Sequence, residues 1–155
     1  NITMIKEENS LTIEMCSRII QTLLDDFNAS QEMIKESRQV SLILELSASM
    51  GMCIGEVLIL SFEDFRCDGE KCYVNYLSQK TRCRTEAEVP LACYRKIYAY
   101  VMEYKVVTLG RLFDVTLGTV KMYLTKVCKK LGYKGIKTYH FSALWANVND
   151  FDKTY

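Results

Sequence analysis

The loop Gln79-Lys80-Thr81-Arg82-Cys83-Arg84 puts three cations within six residues. Ammonium and guanidinium groups at that spacing suit a phosphate backbone. A second basic set, Lys121, Lys126, Lys129 and Lys130, falls on the side of a helical pattern away from its apolar stripe. Nucleophilic chemistry is harder to assemble. The chain has one histidine, His140, so Cys53 with His140 is the thiol–imidazole pair the sequence allows, and no third residue orients it. The patterns GxxxxGK followed by Ser or Thr, GxGxxG, GxSxG and HExxH do not occur, which leaves the common nucleotide-binding, hydrolase and metalloprotease readings without support. Seven cysteines (Cys16, Cys53, Cys67, Cys72, Cys83, Cys93, Cys128) form neither an even framework nor a CxxC pair. Reduced, mostly buried thiols are expected, with no metal and no cofactor, in a cytoplasmic setting.

These groups must be held by a chain of 155 residues and formal net charge +1. The near-neutral total hides an asymmetry: residues 1–75 carry a net −7 and residues 76–155 a net +8. Such a split fits a basic face aimed at a polyanion, or two halves that neutralise each other. Scarce Pro and Gly exclude a disordered or fibrous chain. No apolar run approaches the roughly 20 residues of a membrane span, and Asn1–Ser10 lacks a signal-peptide core. One domain over residues 1–155, with no membrane association, is the expectation.

Periodicity supplies the elements. Leu11 to Phe27 reads as an amphipathic helix with Ile13, Cys16, Ile20, Leu23, Leu24 and Phe27 on its apolar side. Ser30 caps a second helix, Gln31 to Met50, with Val40, Ile43, Leu44 and Leu46 inward, and Gly51 ends it. A short buried helix follows at Glu56–Leu60. The turn signal Asp68-Gly69 opens a β region: Lys71–Leu77, a loop at Ser78–Arg84, and Thr85–Leu91 closed by Pro90. Two or three short antiparallel strands are expected. Helices return at Ala92–Tyr104, with Tyr94, Ile97, Tyr98, Val101 and Met102 on one face, at Leu117–Leu131, and at Phe141–Asn147. The order predicts an α+β fold, mostly helical.

Met50-Gly51-Met52-Cys53-Ile54-Gly55-Glu56-Val57-Leu58, with Leu60-Ser61-Phe62-Glu63-Asp64-Phe65 after it, resembles the tyrosine recombinase (phage integrase) catalytic domain, whose pattern there is TGLRxxEhhxLxWxDh. Lys80-Thr81 and Glu88-Val89-Pro90-Leu91 sit where that family has KT…R.VPL. Leu112-Phe113, the helix Thr119–Leu131 and Gly132 resemble the family's next segment. Lys137 to Ala146 falls at a stretch like THxxRHTFA. The resemblance spans roughly residues 10–147 as an ordered string of weak matches. It implies a recombinase-like catalytic fold with a small antiparallel sheet, a role in DNA recombination and integration, and double-stranded DNA and other recombinase subunits as partners.

The departures bear on activity. The family grips the scissile phosphate with two arginines, and the first position is Cys53 here. The second is Ser142 if Tyr139 matches the box histidine, or Ala143 if His140 does. Lys80 matches the family's hairpin lysine, a general acid for the leaving oxygen. The family nucleophile lies about thirty residues past this box, whereas Tyr155 follows Ser142 by 13, so the nucleophile segment and the family's other domain are expected to be missing. The resemblance therefore implies a degenerate or truncated relative that binds DNA through Lys80, Arg82, Arg84, Lys121, Lys126, Lys129 and Lys130. Two other readings stand beside it. Thr119 to Gly132 also resembles the recognition helix of a helix-turn-helix transcriptional regulator. Ten tyrosines, several on the Ala92–Tyr104 helix, would suit a protein-interaction adaptor on the same fold.

Overall fold

The computed structural model describes residues 10–145. Thr12 begins α1 (Ile13–Asp26), its hydroxyl accepting from the Met15 N–H at 3.1 Å. Ser30 caps α2 (Gln31–Met50) in the same way at Met33. Gly51, at φ 74°, closes α2 in the left-handed conformation that a residue without Cβ adopts freely. After α3 (Ile54–Leu58) and a single 3₁₀ turn at Phe62–Asp64, the chain enters three strands, β1 (Phe65–Asp68), β2 (Lys71–Leu77) and β3 (Arg84–Val89). They form an antiparallel sheet in the order β1-β2-β3, with Val74 facing both Phe65 and Ala87 in register. Pro90 then leads directly into α4 (Leu91–Tyr104), and Thr116 caps α5 (Leu117–Leu131), which Gly132 ends. Residues 139–145 are helical again.

α2 is the spine. Its Val40, Ile43, Leu44 and Leu46 have no exposed surface, and α1, α4 and α5 all pack on it. Burying each such side chain contributes about 1.5–3 kcal/mol, which explains why a helix of mixed sequence is held firmly in place. No helix among the described residues is long and apolar enough to cross a membrane.

Several expectations are corrected here. On α1 the buried residues are Cys16, Ile19 and Leu23, while Ile13 and Leu24 are largely exposed; the packed stripe is turned to one flank of the expected one. On α4 the core takes Cys93, Ile97, Tyr100 and Val101, leaving Tyr98 and Met102 half exposed. A strand at Phe65–Asp68 precedes the Asp68-Gly69 turn, where the β region was expected to open, and α3 starts and ends two residues early. β3 begins at Arg84 and ends before Pro90, which caps α4 instead.

The thiols are not all reduced. Cys67 and Cys72 are directly opposed in the β1–β2 register, 4.0 Å apart at Cα, and are joined by a disulfide. Among the other five, Cys16, Cys93 and Cys128 are buried, and burial pushes the Cys16 thiol to about 11 and that of Cys93 to about 12. Ala146 and Asn147 of the last expected helix, and Tyr155, lie outside the described residues.

Candidate functional site

The end of α2, the start of α3, the exit of β2 and the 139–145 segment converge on an open cavity of about 470 Å³. Its lining includes Cys53, Glu56, Tyr76, Gln79, Lys80 and Ser142. Two local features bring these distant residues together. Gly51 has no Cβ, and the Trp145 ring comes within 2.6 Å of where one would be. The indole therefore presses onto the end of α2 while Phe141 and Leu144 are buried, and this sets Ser142 at the cavity. The Ser142 hydroxyl donates to the Tyr139 carbonyl at 3.2 Å.

The second feature is Glu56. It is 6% exposed, and its carboxylate accepts from the Cys53 N–H at 2.8 Å and from the Gln79 N–H at 2.7 Å. One oxygen closes the first turn of α3 and the other ties that turn to the hairpin after β2. Its sequence signal was the spacing: an acid three residues after a helix start. Sequence reasoning passed over Glu56 and Gln79 as site residues because their partners are more than twenty residues apart on one side of the pair.

The Cys53 thiol donates to the Gln79 side-chain oxygen at 3.1 Å, and burial raises its pKa above the ordinary thiol value. It is a protonated hydrogen-bond donor at neutral pH, not a thiolate nucleophile. Tyr76 is held protonated for the same reason, with the charge of Glu56 adding to the effect of burial. His140 is engaged elsewhere: its Nδ1 accepts from the Lys137 N–H at 2.8 Å, and its ring lies on Tyr139. The Cys53–His140 pair is not formed.

The basic residues divide. Lys80 and Arg82 are exposed in the turn between β2 and β3, with Arg82 at φ 59° and its N–H bonded to the Ser78 carbonyl at 2.8 Å. Arg84 belongs to β3, and its guanidinium meets Asp64 at 3.2 Å, so the expected three-cation tip holds two. On α5, the helical turn of about 100° per residue sends Lys121 and Lys130 to opposite flanks. Lys130 pairs with Asp26 at 2.6 Å. Lys121 borders a second groove of about 410 Å³, shared with Thr125, Lys137, Thr138 and the two-thirds-exposed Tyr139. Lys126 and Lys129 are exposed between them. Among the described residues no group of three or more His, Cys, Asp or Glu is placed to hold a metal ion.

No protein-family model matches the sequence, and no curated protein matches it. Solved structures do match. The XerH site-specific recombinase bound to its difH substrate, in a pre-cleavage complex, superposes with a TM-score of 0.74 at 14% identity. That match covers 95% of this chain and 44% of the other. A post-cleavage complex of XerH with a palindromic difH substrate gives 0.76 at 13%, over 95% and 43%. The XerA recombinase gives 0.65 at 18%, over 88% and 48%. The chain has a tyrosine-recombinase-like α+β fold. It spans less than half the length of each of these proteins.

Among the described residues, α5 is not preceded by the closely joined helix that the helix-turn-helix alternative requires. Such a motif joins its helices by a turn of about 3–4 residues. Here residues 105–116 separate α4 from α5, and Leu112 of that stretch bonds back to the Leu60 carbonyl at 2.8 Å.

Proposed function

We propose that this chain binds double-stranded DNA on a recombinase fold and does not itself cleave it. One observation carries the reading: the cavity joins Lys80 to Cys53 and Ser142, the places where the resembled family has its arginines. Among the described residues lining it, Lys80 is the only cation and Glu56 the only anion. Phosphoryl transfer depends on stabilising charge on the equatorial phosphate oxygens. One lysine sharing the cavity with a carboxylate supplies little of that, and two neutral side chains supply none of the forked donation of a guanidinium. Lys80 here is a phosphate contact. Binding rests on the exposed cations, Lys80 and Arg82 on the hairpin with Lys121, Lys126 and Lys129 on α5. The two XerH structures were solved with a difH substrate bound, which supports duplex as the partner of this fold.

The test is fluorescence anisotropy on labelled duplexes of several sequences across a salt series. With three to five phosphates engaged, log K should fall against log salt with a slope of about −3 to −4.5, alike for every sequence. Replacing Lys80, Arg82 and Arg84 together by Ala should weaken binding uniformly and flatten the slope by about 2, since Arg84 is already paired. A covalent protein–DNA adduct on a nicked suicide duplex would overturn the loss of cleavage. No binding at about 50 mM salt would overturn the DNA reading and favour the adaptor.

A further inference from the structure

The hairpin carrying Lys80 and Arg82 is tied to α3 at Gln79 twice, by its backbone to Glu56 and by its side chain to the Cys53 thiol. Gln79 Oε1 accepts from the Cys53 thiol at 3.1 Å, and its Nε2 lies 2.7 Å from the point where a Cβ on Gly55 would stand. Only a glycine at position 55 lets the amide lie there. Beneath it, the Gln79 N–H is already held by Glu56. The turn beyond is internally bonded, Ser78 N–H to the Cys83 carbonyl at 3.0 Å and Thr81 N–H to the Ser78 hydroxyl at 3.3 Å. It is a preformed unit, anchored below by the Leu77–Arg84 pairing and at Gln79 by its contacts with α3.

We propose that Gln79, clamped between the Cys53 thiol and the bare Cα of Gly55, is the positioning residue that holds Lys80 and Arg82 in place for phosphate. The inference rests on the DNA-binding reading above and assigns a use to Cys53: it secures the hairpin that presents the cations. A hairpin ordered before binding costs less to immobilise on the duplex, whereas a loose one gives up more of its contact energy to ordering.

Gly55→Ala separates this role from mere structure. The colliding atom is the far end of a flexible side chain, so Gln79 swings away at little cost, and Ala replaces Gly inside a helix. The thermal midpoint should therefore hold or rise while DNA affinity falls about twofold to tenfold. Gln79→Ala should lose a similar factor, and the two changes combined should lose no more than either alone. Cys53→Ser, which keeps a hydroxyl donor, should retain most of the affinity that Cys53→Ala loses. Amide exchange at residues 80–83 should quicken in Gly55→Ala and in Gln79→Ala.

If both leave affinity and exchange unchanged while Lys80→Ala with Arg82→Ala still weakens binding, the clamp is refuted and the DNA reading stands. If the parent chain does not bind duplex at all, the DNA reading fails. The exchange measurement then decides the clamp alone: faster exchange in Gly55→Ala supports it and unchanged exchange refutes it.

Discussion

Two glutamines tie distant parts of this chain together, and they do so under opposite conditions. Gln39, on α2, is wholly buried; its Nε2 donates to Asp114 Oδ1 at 2.7 Å and its Oε1 accepts from the Asp114 N–H at 2.8 Å. Gln79 is exposed and shares its oxygen with a thiol, a weak donor. The Gln39 amide itself has no water to fall back on, so both of its ends must be matched, although its partner Asp114 lies at the surface. The second can exchange its partners for water at little cost. A buried amide therefore holds the fold, and an exposed one can only choose an orientation. The lesson extends to the charges around them: Lys35 completes the Gln39–Asp114 group at 3.3 Å, and Tyr123 donates to Glu36 at 2.9 Å one turn away.

The largest expected effect breaks the buried tie. Gln39→Ala removes both bonds to Asp114 and empties a fully buried position, and should destabilise the fold by about 2–3 kcal/mol in urea denaturation. A loss under about 0.5 kcal/mol, the range of ordinary surface changes, would show that the two glutamines do not differ in kind.

A smaller effect follows from pH. The hydrogen bond from Gln39, and then Lys35, hold the Asp114 carboxyl below the usual aspartate value. A depressed carboxylate contributes stability above its unfolded pKa, and that contribution is lost as pH falls through the folded pKa. The parent should lose stability to acid below about pH 4 more steeply than Asp114→Asn does, followed by denaturation midpoints at successive pH. Equal slopes would mean that the carboxylate is held by neither Gln39 nor Lys35.

The smallest effect sharpens the comparison from the other side. Gln79→Ala should change the unfolding free energy by less than about 0.5 kcal/mol, since its partners stay hydrated. A loss as large as that of Gln39→Ala would make Gln79 a structural residue, and its effect on DNA would then report unfolding.

Much of the fold was legible. The spans Gln31–Met50, Lys71–Leu77 and Leu117–Leu131 emerge from period, cap and turn residues, and the structure has the same three elements. β1 was not, because Phe65–Asp68 is only four residues, too short for its apolar–polar alternation to stand out beside the turn that follows. It is a strand because β2 supplies partners for it. The same hairpin register brings Cys67 against Cys72, a pairing that irregular cysteine spacing hides. The buried faces of α1 and α4 were read too wide, since Ile13, Leu24, Tyr98 and Met102 are apolar yet border the packed stripe. Apolar type says which residues can be buried; neighbouring elements select among them.

The cavity divides in the same way. Residue types alone indicate cations between β2 and β3, a bare position at Gly51 and an acid at Glu56. That Glu56 faces Gln79, that Trp145 rests on Gly51, and that Arg84 and Lys130 are taken by Asp64 and Asp26 depend on contacts between segments far apart in the chain. Helix periods and turn preferences act over a few residues and are written in local order. A charge's availability to a ligand depends on which opposite charge lies within about 4 Å, and only the packed fold decides that.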